Sequence, residues 1–179
     1  GVIGAGGISP GHGEGWRALG ADLHVYSLEF GPRFVERYQA VEHDSLDELL
    51  AAVDLVDVVT PTPVHADIVR AALEAGKDVV CEKPMARTSA EAAELIVLAE
   101  KLGRKLYPAH VVRWFPQYAA AQAAVAAGEL GQLAVMRFTR ASAMPKVPWF
   151  ADDAASGGLV MDQMIHDLDQ AAWIGGPVD

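Results

Sequence analysis

The chain has 179 residues, 51% of them hydrophobic and none in a low-complexity segment, enough for one well-buried domain and part of a second. Its formal net charge is −10 and its 14 basic residues are scattered, which argues against a nucleic-acid or anionic membrane surface and leaves a small polar or neutral ligand. Cys81 is the only cysteine, so an internal disulfide and a thiol cluster are excluded, and six histidines without zinc-type spacing give no reason to expect a structural metal.

Apolar runs are broken by charges well short of a bilayer span. The sequence opens at Gly1-Val2-Ile3 as if in mid-strand and closes on Gly175-Gly176-Pro177-Val178-Asp179 as if in a loop, so a piece of a longer chain is expected. A cytoplasmic location is expected, although an export signal upstream of Gly1 would be invisible.

Strand-like and helix-like segments alternate in chain order, the pattern of a parallel sheet with covering helices. A strand over 1–3 leads into the glycine loop Gly4-Ala5-Gly6-Gly7-Ile8-Ser9, and a second strand runs over 23–27. Ser45 and Glu48 form a capping-box pattern before a helix, and an almost wholly apolar third strand covers 55–60. Thr62 as N-cap with Pro63 at the first helical position predicts a helix ending at Gly76. A strand over 79–83 follows, then a helix from the Thr88–Glu91 capping box to Gly103, then a fifth strand over 105–109. This is a doubly wound α/β unit. Beyond His110 an alanine-rich helix is expected over 117–127, a strand over 133–140, a loop over 145–155 and a helix over 157–169, which together read as the opening of a second domain.

Three stretches carry chemistry. The glycine loop keeps the first two glycines of the dinucleotide fingerprint, for the tight turn and the close approach of backbone to pyrophosphate, while Ser9 replaces the third. Glycines at 11, 13 and 15 weaken the helix that follows, and a glycine turn without a ligand has the same appearance. About twenty residues on, Glu29 on the adenine ribose would mean NAD, whereas Ser27 with Arg33 could hold the 2′-phosphate of NADP; the spacing leaves both open. In Val79-Val80-Cys81-Glu82-Lys83-Pro84, Pro84 keeps Lys83 extended, so a buried strand delivers a charged pair to its end. A solvated strand end would look alike. In 157–169, Met161, Met164, Ile165, Leu168 and Ala172 mark an apolar face, while Asp162, His166 and Asp169 at i, i+4 and i+7 set a carboxylate beside an imidazole. Such a pair orients a ring for proton abstraction, or is an ordinary surface ion pair.

In this order, the glycine loop at 4–9, Thr-Pro-Thr-Pro-Val-His at 60–65, Glu-Lys-Pro at 82–84, His-Val-Val-Arg at 110–113, and Asp162 with His166 resemble the Gfo/Idh/MocA family of NAD(P)-dependent oxidoreductases. The resemblance implies a Rossmann-type dinucleotide domain over 1–110, with 111–179 the beginning of a substrate domain built on an open antiparallel sheet. It implies NAD or NADP as cofactor, a sugar, polyol or cyclitol as substrate, and a homo-oligomer, dimer or tetramer, assembled through that sheet. It further implies Lys83 as the active-site lysine, His166 as general base and Asp162 as its partner. Gly4, Gly6, Gly7, Ile8, Ser9, Ser27, Glu29, Thr60, Pro61, His65 and Glu82 would line the cofactor beside Lys83, and Arg113 and Trp149 would border the substrate. Gln163 and Met164 depart from the small residue or glycine that the family often has there. A dinucleotide-dependent sensor, or an enzyme using transient oxidation for elimination or glycoside cleavage, are the alternatives; the presence of Lys83, Asp162 and His166 argues against the sensor.

Overall fold

In the computed structural model, residues 1–141 and 148–176 are described. The chain divides into two compact units, Gly1–Ala109 and His110–Asp179.

The first unit is a six-stranded, all-parallel sheet. Its strands are β1 (Val2–Ile3), β2 (His24–Tyr26), β3 (Val41–Glu42), β4 (Leu55–Val58), β5 (Asp78–Cys81) and β6 (Leu106–Pro108), in the order β3-β2-β1-β4-β5-β6. Between them lie α1 (Ser9–Ala18), α2 (Gly31–Tyr38), α3 (Leu46–Ala52), α4 (His65–Glu74) and α5 (Ser89–Leu102). This is the doubly wound Rossmann-type topology that the alternation predicts. The sheet separates two apolar clusters. One joins Val56, Val58, Val79 and Cys81 to Leu49, Leu73 and Leu95 of α3, α4 and α5; the other joins Val2, Val25 and Val59 to Phe34 and Tyr38 of α2, with Trp16 of α1 against them. Strands buried on both faces lose their alternation, which is why β4 and β5 read as apolar runs. Cys81 is fully buried, and burial pushes its thiol well above the usual range.

Local signals account for most boundaries. Thr88 and Glu91 make the full reciprocal capping box, and Gly103 closes α5 in the left-handed region. Ser45 caps α3, but Glu48 returns its side chain to the Asp44 amide rather than to that of Ser45. The helix expected from Thr62 begins instead as a 3-10 turn, Thr62–Val64, capped at Pro61, before α4. The periodicity misses two elements, β3 and α2, because β3 is two residues long and exposed, and α2 is entered through Phe30 in the left-handed region, with no side-chain cap. Gly13 explains an apparent oddity of α1. A Cβ there would lie 2.6 Å from the Tyr38 ring, so the glycine lets α1 and α2 approach, and the Tyr38 hydroxyl donates to the Pro10 carbonyl at 2.9 Å.

The second unit is helical. It contains a 3-10 turn at Val111–Trp114, then α6 (Pro116–Ala126), α7 (Pro148–Ala151), α8 (Asp153–Ser156), α9 (Gly158–Asp162) and α10 (Ile165–Gly175). Three expectations are corrected. Residues 133–140 form no strand, since no described segment of this unit pairs with them, and the open antiparallel sheet is not seen among the described residues. The loop expected over 145–155 holds two short helices in its later part, while 142–147 lie outside the described residues. The single helix over 157–169 is two, broken at Gln163–Met164, where both amides bond to the Leu159 carbonyl. Its buried positions are polar rather than apolar: Asp162, Asp167 and Gln170 are buried, while Leu168 is 53% exposed.

Candidate active site

Parallel pairing sets Ile3 level with Tyr26 and Val58, and Val58 level with Cys81. The next residues, Gly4, Ser27, Val59 and Glu82, therefore stand side by side at the carboxyl edge of the sheet. The chain leaves β1 toward β2 on one side and enters β4 on the other, so the loops after β1 and β4 diverge at the topological switch point, where open α/β sheets bind ligands.

The glycine loop is built for close approach. Gly4 has φ +97°, and a Cβ there would sit 3.0 Å from both the Thr60 amide and the Val59 carbonyl. Gly6 and Gly7 are exposed with open space where a side chain would be. Ile8 is exposed at the N-cap, and Ser9, standing where the fingerprint has its third glycine, is buried with its hydroxyl donating to the Gly6 carbonyl at 2.8 Å. The ten-residue α1 begins here, so the positive end of its dipole lies at the loop, a setting that fits pyrophosphate. Across the switch point, the buried Thr60 hydroxyl has no hydrogen-bond partner among the described residues, and Pro61 is exposed beside it.

Ser27 ties the loop down. Its hydroxyl accepts from the Ala5 amide at 3.0 Å and donates its one hydrogen to the Glu29 carbonyl at 2.5 Å. The Glu29 side chain is exposed, and Arg33 lies 6.0 Å over the Phe30 ring. His65, by contrast, is 1% exposed with its ring nitrogens on the Thr60 and Pro84 carbonyls at 2.7 and 2.8 Å, bracing two loops from behind. Lys83 is half-buried, directly after Glu82, whose carboxylate accepts from the Lys83 amide at 2.9 Å.

A cluster behind Glu82 brings in three residues that are not among the candidates drawn from the sequence, His12, Trp16 and Asp57. His12 of α1 faces Asp57 of β4 at 2.8 Å through Nδ1 and Glu82 at 3.1 Å through Nε2, and the Trp16 indole donates to the same Asp57 oxygen at 2.5 Å. Burial alone would lower the His12 pKa, but its bonds to Asp57 and Glu82 outweigh burial and push it up to about 9. Burial would likewise raise Glu82, yet His12 and the Lys83 amide hold it below the usual carboxylate range. Two signals were legible: Asp57 is the lone acid in the apolar run of β4, and His12 and Trp16 stand four residues apart on α1.

In the second unit, Asp162 closes α9 and His166 lies in the first turn of α10, on two short helices rather than one. Arg113 is held by Asp169 in a bidentate pair at 2.8 and 2.5 Å and lies 5.6 Å over Trp173; the bond to Asp169 raises the Arg113 pKa further. Asp169 is thus an ion-pair partner of Arg113 rather than a companion of His166 alone. Arg140 holds Asp167 in the same bidentate way at 2.8 and 2.9 Å. Trp149 packs edge-on to Phe150, with ring centroids 5.8 Å apart. Among the described residues, no group of three or more potential ligands is arranged for a metal ion, and no helix is long and apolar enough to cross a membrane.

The parallel sheet, its glycine loop and the edge at which they meet define an NAD-binding oxidoreductase domain, and comparison with known proteins agrees. Residues 1–110 match the family model described as oxidoreductase family, NAD-binding Rossmann fold, and residues 118–179 match the GFO/IDH/MocA C-terminal domain. The chain belongs to the Gfo/Idh/MocA family. It is 36% identical over 185 residues to an inositol 2-dehydrogenase of Rubrobacter xylanophilus, an alignment covering 97% of this chain and 51% of that protein. It is 30% identical over 181 residues to the myo-inositol dehydrogenase Hyg17 of Streptomyces leeuwenhoekii, covering 98% and 55%. The chain therefore spans about half the length of these relatives. Among solved structures, GenD2 from gentamicin A biosynthesis, crystallised with NAD, superposes with a TM-score of 0.89 at 26% identity, covering 99% of this chain and 53% of that one.

Proposed function

We propose that the whole protein transfers a hydride between NAD and a secondary alcohol of a sugar, polyol or cyclitol. The observation that carries this reading is Lys83 at the carboxyl edge of the sheet, one strand from the switch point at which the glycine loop lies. Both relatives described above are inositol dehydrogenases by name, which favours a ring alcohol. The nicotinamide, when bound, supplies the hydride acceptor.

The residues of this chain have separate tasks. Gly4, Gly6, Gly7, Ile8 and Ser9 receive the pyrophosphate, and Thr60 with Pro61 borders the nicotinamide end. The Ser27 hydroxyl is turned to the Ala5 amide and the Glu29 carbonyl, which favours NAD, with Glu29 on the ribose. Lys83 stabilises the alkoxide that develops on the substrate oxygen, and His166, oriented by Asp162, accepts the hydroxyl proton. Arg113, engaged by Asp169, is a packing residue in this scheme, and Trp149 keeps a place at the substrate.

The reading is tested with the full-length protein and a panel of sugars, polyols and cyclitols, following nicotinamide reduction with NAD and NADP in parallel for wild type and Lys83→Ala. Net reduction of NAD that falls about a hundredfold or more in the variant is the expected result. Tight cofactor binding with no net reduction by any substrate would replace it with an internally recycling or sensing protein.

A further inference from the structure

The proposed chemistry makes no use of the His12 cluster, yet two carboxylates and an imidazole are gathered there. Asp57 is 1% exposed and Glu82 is 9% exposed. Both His12 nitrogens face carboxylate oxygens, so both must donate, which only the doubly protonated ring can do. Glu82 then passes the constraint on: one oxygen takes His12, the other takes the Lys83 amide, and its own amide donates to the Val58 carbonyl at 2.9 Å. On the other side, Asp57 takes His12 and Trp16, residues one turn apart on the helix that leaves the glycine loop.

We propose that His12 is a positioning residue: it bridges Asp57 and Glu82 and so locks the strand end that carries Lys83 to the helix that follows the cofactor loop. The bridge joins three segments far apart in sequence, α1, β4 and the end of β5. Burying two carboxylates is costly unless a cation lies between them, and removing that cation leaves both uncompensated. Glu82 would turn toward solvent, and the backbone at Lys83 would lose the oxygen that fixes its amide. Placement errors of this kind act on turnover rather than on cofactor affinity. The inference rests on Lys83 acting on the substrate oxygen.

The experiment uses the full-length protein and compares His12→Gln, Lys83→Ala and the double variant for kcat, substrate KM and cofactor Kd. His12→Gln is expected to lower kcat by about tenfold to a hundredfold with cofactor Kd changed by less than about threefold. In the Lys83→Ala background the same change is expected to leave kcat within about twofold, because His12 acts through that lysine. Losses that multiply in the double variant, or that appear in cofactor Kd instead, would overturn the proposal. Should His12→Gln fail to fold, Asp57→Asn weakens the same bridge from its far end, by taking away the charge that His12 pairs with there, and is held to the same outcomes. Should the wild type reduce no cofactor at all, the dehydrogenase reading fails separately, and crystal structures of wild type and variant decide the bridge. A Lys83 displaced by about 1 Å or more in the variant supports it, and an unmoved Lys83 refutes it.

Discussion

The two units of the chain bury different things. In Gly1–Ala109 the interior is aliphatic, two clusters pressed against the two faces of one sheet. In His110–Asp179, Val112 and Phe150 are the buried apolar residues among those described, while Ser156, Asp162, Asp167 and Gln170 are buried polar ones. There, Arg113–Asp169 and Arg140–Asp167 link segments that in the first unit would be linked by hydrogen-bonded strands. An apolar interior needs only the right surface area, whereas an ion pair needs geometry, partners and a dry setting together.

That contrast is open to direct attack. Leu73→Ala, at a site with 0% exposure, should cost about 2–5 kcal/mol in the first unit, read as a lower denaturant midpoint. A far smaller loss would mean that the sheet is not held by its aliphatic interior. Arg113→Ala takes the bidentate partner from Asp169, which is 8% exposed and keeps His110 at 3.7 Å, and the arginine itself is 40% exposed, so a loss of about 1–2 kcal/mol is expected, seen as faster amide exchange in α10. Raising salt to about 1 M should weaken the second unit and leave Leu73 and its neighbours unaffected, since half-exposed pairs are screened and apolar contacts are not. Gly13→Ala pushes a Cβ into the Tyr38 ring and should cost about 1–3 kcal/mol, measurable by thermal unfolding.

The buried ionic cluster of the first unit, His12 with Asp57 and Glu82, sharpens the comparison by pH. The His12 pKa is raised from 6.5 to about 9 in the folded protein, so the stability it contributes is fully present below 6.5 and is lost as pH rises through 9. The unfolding midpoint of wild type should therefore fall toward that of His12→Gln across this window; curves that stay parallel would show that His12 is not charged in the fold. The smallest effect expected is that of Thr88→Ala, about 1 kcal/mol, from the loss of the cap on α5.

Legibility in the sequence follows the same division. Strands β1, β2, β4, β5 and β6 and helices α4 and α5 announce themselves through apolar runs and end signals, because their positions are decided by burial and by residues a few places away. Thr88 with Glu91 and Gly103 are local devices and behave as local rules say. The edge strand β3 is too short and too exposed to leave a pattern. In the second unit the strand expected over 133–140 rested on composition alone, and a strand exists only where another strand receives its amides. The i, i+4 spacing of Asp162 and His166 presumed one helix, whereas the turn at Gln163–Met164 depends on backbone bonds that no side-chain pattern encodes. Of the candidate site, the glycine loop, Ser27 and the strand end before Lys83 could be read directly. The bridge through His12 could not, since it joins residues 45 and 70 positions apart along the chain.

Cys81 gives the first unit a built-in gauge. It is the only thiol in the chain, it lies in β5 with neighbours on both sides in the sheet, and burial keeps it protonated. An alkylating reagent therefore finds nothing to react with until β5 opens, and the labelling rate reports how often the strand that leads to Lys83 comes apart.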